Sequence, residues 1–152
     1  MEYTSDKHGE RFCSILTVAL TSNTWKVQVV VLAAIKLFVE RMNWVNGTPD
    51  GSGEESIQRI TMLRNILGQY IPPVCECLEV KKYAAVRLGS VEVLETMHSA
   101  LQGHVRLSLL TEELKEHILD SLKYVYSDKE PNIRDKALEL KNKFLSLGST
   151  GS

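Results

Sequence analysis

Cys75 and Cys77, separated by a single Glu, are the pair best suited by type to do chemistry, since two thiolates with His98 or His104 would complete a zinc set. Cys-x-Cys is shorter than the spacing of structural zinc loops, and no second close Cys/His pair follows it. Buried thiols are therefore expected, because free Cys is commonly a small core residue. Cys13 has only His8 nearby in sequence, and a Cys nucleophile needs a base within hydrogen-bond reach, so helix packing is its expected role as well. His117 lies in Glu-Leu-Lys-Glu-His, which lacks the His-Glu-x-x-His pattern and reads as a solvated helix face. The acidic residues around Asp50-Gly-Ser-Gly-Glu-Glu do not alternate out to a distant bidentate Glu, so a calcium loop is not expected. Neither a phosphate-cradling glycine loop nor a Gly-x-Ser-x-Gly elbow is present in the sequence. The expectation is a non-catalytic chain without cofactor or metal.

Charge excludes further classes. Lys plus Arg number 18 against 19 Asp plus Glu, so the 152-residue chain has no global basic field to hold nucleic acid by its phosphates. An odd count of three cysteines does not suit a secreted disulfide framework, and the N-terminal MEYTSDKHGERF lacks the apolar core of a signal peptide. With no run long enough to span a bilayer, the chain is expected to be soluble and intracellular.

The elements that must position any site read as helices throughout, so the fold class expected is all-α. Phe12, Ile15, Leu16, Ala19 and Leu20 step by three and four, which predicts a first helix over about 8–21. Thr24 can cap a second helix from Trp25 to about Met42. There Val29 to Ile35 is apolar without interruption, so packing on more than one side is expected. Asn46 to Gly53, with three Gly and one Pro, predicts an exposed linker. Ile57, Ile60, Leu63 and Leu67 mark a third helix, expected to end before Pro72-Pro73, with 74–78 as a separate helical turn. Tyr83 to Leu101 follows, with Gln102-Gly103 as its end. Thr111 can cap the next helix, which has Leu114, Ile118, Leu122 and Val125 as its stripe. A last helix starts at Pro131 with Ile133, Ala137, Leu140, Phe144 and Leu147 along one face. The resulting single domain, 1–147, has hairpins over about 8–43, 54–102 and 111–147, and 148–152 is expected to be a disordered tail.

Three phrases align at the second helix of each hairpin: VQVVVLAAI from Val27, VRLGSVEVL from Val86 and IRDKALELK from Ile133. Removing about a dozen linker residues brings their separations near the ~40–47 residue period of helical-hairpin arrays. The first and fifth residues of each phrase share a face, and the small-to-medium fifth (Val31, Ser90 or Ala137) should admit a neighbouring helix. The second (Gln28, Arg87 or Arg134) is a long donor at the edge of that face, able to reach carbonyls or a carboxylate.

At these residues the chain resembles the HEAT-repeat family, whose second helix begins Asp-x-x-Pro-x-Val/Ile-Arg-x-x-Ala. Asp128, Pro131, Ile133, Arg134 and Ala137 match that pattern position by position, whereas the middle phrase has Lys81 for the Asp and Ala84 for the Pro, and the first has Ser22 and Gln28 for the Asp and Arg. The resemblance implies a right-handed superhelical α-solenoid of about three hairpins, with Gln28, Arg87, Asp128 and Arg134 as inter-repeat structural residues. TWKVQVVVLAAIKLF and KYAAVRLGSVEVLETM resemble, more loosely, the C-terminal repeats of the large proteasome-associated HEAT-repeat adaptors. That likeness implies a protein-binding scaffold, proteasome subunits as partners, and a place in cytoplasm and nucleus. A cargo-binding HEAT module and a purely structural terminal cap are the alternatives. Lys36, Arg41, Lys81 and Lys82 tilt the surface basic, suggesting an acidic partner, and Trp44 could anchor one. Nucleic acid and membrane are not expected as partners, and the apolar second helix admits a homodimer through the N-terminal hairpin.

Overall fold

The computed structural model describes residues 11, 13–21, 24–41, 53–101 and 110–146, and the elements among them are helical. In chain order they are α1 (13–21), α2 (Trp25–Arg41), α3 (Gly53–Cys77), α4 (Ala84–Leu101), α5 (Glu112–Leu122), a 3-10 turn (Lys123–Val125) and α6 (Pro131–Ser146). Of the expected linker only Gly53 is described, and it opens α3; residues 46–52 and the Gln102-Gly103 end lie outside the described residues, as do the tail, Trp44 and His104. Among the described residues no helix is long and apolar enough to cross a membrane.

Sequence sets the helix starts. The Thr111 hydroxyl accepts the Leu114 N–H from an extended backbone, satisfying one of the donors that every helix N-terminus leaves open. Glu112 and Glu113 follow in the first turn, where negative charge suits the helix dipole. Pro131 sits at the first position of α6, where its missing N–H costs nothing.

Packing sorts the helices into two layers. The second helices lie side by side, α2 extensively on α4 and α4 on α6, while α3 packs on α5. The Cys13 thiol lies 3.9 Å from the Ile66 carbonyl, and Ser14 Oγ is 3.0 Å from Gln69 Oε1, so α1 joins α3 and α5 in the first layer. Between the layers Phe38 meets Tyr70 edge-on at 5.4 Å, and an apolar core runs from Leu16 through Ile35, Leu67 and Leu94 to Phe144. Each fully buried Leu, Ile or Phe contributes roughly 1.5–3 kcal/mol relative to exposure, so a shared core holds the hairpins as one body.

The prolines do not end α3. Pro72 and Pro73 lie inside the helix, and Val74 to Cys77, expected as a separate turn, form its last turn. A proline in a helix interior costs about 3 kcal/mol through a lost hydrogen bond and a clash with the carbonyl four residues back. Those carbonyls belong to Gly68, which is exposed, and to the half-buried Gln69, so water can serve them. Tyr70, Ile71, Val74, Cys75, Cys77 and Leu78 are buried immediately around the prolines, and their burial outweighs the local penalty.

One expectation is refined and another corrected. The helix α2 packs on α4 and, through Phe38, on Tyr70 of α3, with Val31, Leu32, Ile35 and Val39 buried, while Val27, Val30 and Leu37 form an exposed stripe. The residue that admits a neighbouring hairpin is the fourth of its phrase, one before the position expected. A Cβ on Gly89 would stand 3.1 Å from Leu32 Cδ1 of α2, whereas Ser90 turns into its own hairpin, where its hydroxyl donates to the Val74 carbonyl. Leu78 N–H bonds Cys75 instead, so Ser90 serves a carbonyl that the end of α3 leaves open.

Gly89→Leu should therefore lower the unfolding free energy by roughly 1–3 kcal/mol through overpacking against Leu32. Gly68→Ala, in a helix with open space around the added Cβ, should raise it by about 0.5–1 kcal/mol. Urea denaturation of both variants checks the pair, and equal effects would contradict the packing described for Gly89.

Candidate protein-interaction surface

At each hairpin corner the second residue of the repeated phrase performs the same act. Gln28 Nε2 donates to the Leu20 carbonyl at 3.1 Å, Arg87 Nη1 to those of Val80 and Lys81 at 2.9 and 2.8 Å, and Arg134 Nη1 to that of Asp128 at 3.3 Å. Each acceptor lies six to eight residues upstream, in the segment where the first helix gives way to the second. The donor thus fixes the chain reversal by satisfying carbonyls that the first helix cannot.

Between corners the joints differ. Arg87 also reaches the next hairpin: Nε lies 2.6 Å from Asp128 Oδ2 and Nη2 3.0 Å from Oδ1, with both side chains nearly excluded from solvent. The second Asp128 contact to Oδ1 comes from the Glu130 N–H at 3.0 Å. The hydrogen bonds from Arg87 hold the Asp128 carboxyl below its ordinary value, against a burial effect that acts upward. Among the described residues no such pair links the first two corners, where Lys81 occupies the position that Asp128 holds in the third. There Trp25 stacks on Tyr83 with ring centroids 4.7 Å apart and planes 15° from parallel. Gln28 and Arg134 are bound inside their own hairpins and not across to a neighbour, Arg134 having only a 3.8 Å approach to its exposed neighbour Asp135 besides.

The thiols and imidazoles do not converge. Burial pushes the Cys75 and Cys77 thiols up to about 12, Cys75 facing Ser121 of α5, so neither is a ready thiolate at neutral pH. Cys13 is buried beside Tyr70, whose phenol is driven far above its usual range by burial and then by that thiol. His98 is buried between α4 and α6, edge-on to Phe144 at 5.3 Å. Among the described residues no three His, Cys, Asp or Glu side chains stand together as a metal set.

The candidate partner-binding residues fall in two places. Lys81 and Lys82 are exposed at the second corner, and Lys82 lies 5.7 Å over the Tyr83 ring. Lys36 lines a groove of about 450 Å³ with Glu40, Glu95, Thr96 and Ser99, and Arg41 is exposed at the end of α2. Eleven helical residues separate Lys36 from Trp25, about 16 Å at 1.5 Å per residue, so the two basic sets do not form one patch. Sequence reasoning missed the Trp25/Tyr83 joint, although each aromatic stands at the start of a second helix, which is the signal that could have found it. The apolar second helix did hint at bare surface on the first hairpin, and the exposed residues there are Ile15 at 58%, Val30 at 69% and Leu37 at 48%.

No family model matches the chain. It is similar to the human proteasome adapter and scaffold protein ECM29, with 26% identity over 140 residues. The similarity takes in 92% of this chain and 7% of that protein, so the chain spans a small fraction of its relative's length. This likeness goes with described elements that are all helical and with three buried cysteines.

Asp128→Ala should cost about 3–5 kcal/mol, because it strands the buried Arg87 guanidinium. The double variant Arg87→Met/Asp128→Leu should be clearly more stable than that single variant, and a chemical denaturation series measures the difference.

Acid should destabilise the protein in two windows. Burial, then the Lys143 charge, lower His98 below its ordinary 6.5, so the unfolded chain takes the proton first and stability falls as pH drops from about 6.5 through the lower folded value. The Asp128 contribution is present above its unfolded value of 3.8 and disappears as pH falls through the depressed folded value. Thermal melts across this range with His98→Gln should lose the upper window and keep the lower one.

Proposed function

We propose that this chain is a non-catalytic scaffold segment, a right-handed α-solenoid of three HEAT-like hairpins that binds other proteins by helix stacking and at its corners. The observation that carries this reading is a positional equivalence. Lys136 of α6 reaches Glu95 of α4 at 3.4 Å, and Gly89 of α4 abuts Leu32 of α2, so the fourth phrase residue faces the preceding second helix in the two later hairpins. In the first hairpin that residue is Val30, which is exposed along with Leu37 and Ile15. A bare stripe of large aliphatic side chains at the position where the other hairpins stack suits one occupant: another helical hairpin of the same kind, its second helix lying along α2.

The likeness to a proteasome adapter and scaffold protein supports the proteasome as the assembly in which such stacking operates. A consensus HEAT hairpin fused ahead of α1 should raise the melting temperature by several degrees, with Val30→Glu cancelling the gain. The immobilised chain should also bind purified proteasomes saturably. A fused hairpin that melts independently would sink the stacking surface, and a folded chain that ignores proteasomes would sink the proteasome reading.

A further inference from the structure

We infer that the groove between the second and third hairpin corners docks a short acidic segment of a partner protein. This rests on the scaffold reading and supplies the partner's chemistry. The groove encloses about 330 Å³, within the size range of ligand clefts, and its walls come from the segment after α3 and from the turn after α5. Leu78, Glu79 and Lys81 form one side, and Tyr124, Ser127 and Lys129 the other.

Charge decides the class of occupant. Arg87 and Asp128 lie in the lining too, but they pair with each other and contribute little net field. Lys123 is tied to Asp120 at 3.3 Å, and Lys82 rests over Tyr83. Lys81 and Lys129 are exposed on opposite walls, and among the described residues neither makes an ion pair. With Arg87 and Asp128 paired, Lys81 and Lys129 against the single exposed carboxylate of Glu79 leave the lining with a net positive charge, in a chain whose net charge is −1. Tyr124, 59% exposed, adds an apolar face with a polar tip, the kind of side chain enriched where proteins meet. The floor is held by the buried ion pair and its carbonyl contacts, so the groove needs little ordering on binding. Two lysines on separate walls, with Glu79 beside Lys81, do not follow a repeating phosphate backbone, whereas they match one or two carboxylates flanking an apolar residue seated on Tyr124.

The probe is a fluorescein-labelled peptide of alternating Glu and Leu, titrated against the isotope-labelled chain and followed by anisotropy and amide shifts. Shifts should cluster at 78–81 and 124–129. Lys81→Glu/Lys129→Glu should weaken binding on the order of tenfold, as expected for two rim charges, while circular dichroism stays helical because both side chains are exposed. Tyr124→Ala should weaken it several-fold. Scattered or absent shifts, or equal affinity in the charge-reversed chain, overturn the inference. So does a labelled oligouridylate or a phosphatidylserine vesicle binding this groove in the peptide's place. A chain that stacks a fused hairpin and binds proteasomes yet ignores the peptide loses this inference alone, and a chain that stacks the hairpin and binds the peptide yet ignores proteasomes loses only the proteasome reading.

Discussion

The buried pair between Arg87 and Asp128 is the constraint on which the last two hairpins depend. A guanidinium is strongly disfavoured away from water unless its donors are met, and here one side chain fastens its own corner through two carbonyls and the next corner through a carboxylate. The energetic weight of such a pair lies less in its net stabilisation than in the penalty for any arrangement that separates it. Any packing of α5 and α6 against α3 and α4 that parts the two side chains strands a buried charge, at a cost of about 3–5 kcal/mol.

Around that lock the structure repeats one plan with three different fillings. The corner donor is Gln, Arg and Arg, and the fourth phrase residue is an exposed Val, a Gly set against α2 and a Lys set against α4. What a helix of this kind must supply at each place is a shape and a hydrogen bond, and several residue types supply them. The joint between the first two hairpins shows the latitude: with Lys81 where a carboxylate would be needed, a flat aromatic stack takes over. The polar filling at Lys136 and the aliphatic filling at Val30 also separate a position met by a charged partner from one still bare.

Much of this was legible in the sequence. Helix spacing placed α2, α4, α5 and α6 within a residue or two, because caps at Thr24, Thr111 and Pro131 coincide with the onset of apolar periodicity. Pro72-Pro73 misled because a local penalty of about 3 kcal/mol is visible in the sequence, while the burial of six neighbours that outweighs it depends on α1, α4 and α5, which are remote along the chain. The groove flanked by Lys81 and Lys129 was half visible: the lysine at 81 stood out by charge, but its opposite wall is brought to it by the packing of α3 on α5 and by the ion pair, both remote in sequence. The apolar run of α2 hinted that surface on the first hairpin is left bare, but not that Val30 and Leu37 are the residues exposed, because the run itself has no polar side to mark the face.

The placement of the cysteines has a bearing on how the molecule would age. All three thiols are buried, one in α1 and two in the last turn of α3, and the two in α3 are held protonated by their surroundings. Oxidants and alkylating reagents attack the thiolate of an accessible sulfur, so damage is limited by how often the first-layer helices part from their neighbours. The interior therefore carries its own record of opening: a modified sulfur marks an excursion from the packed state, and an unmodified one marks a layer that has stayed closed.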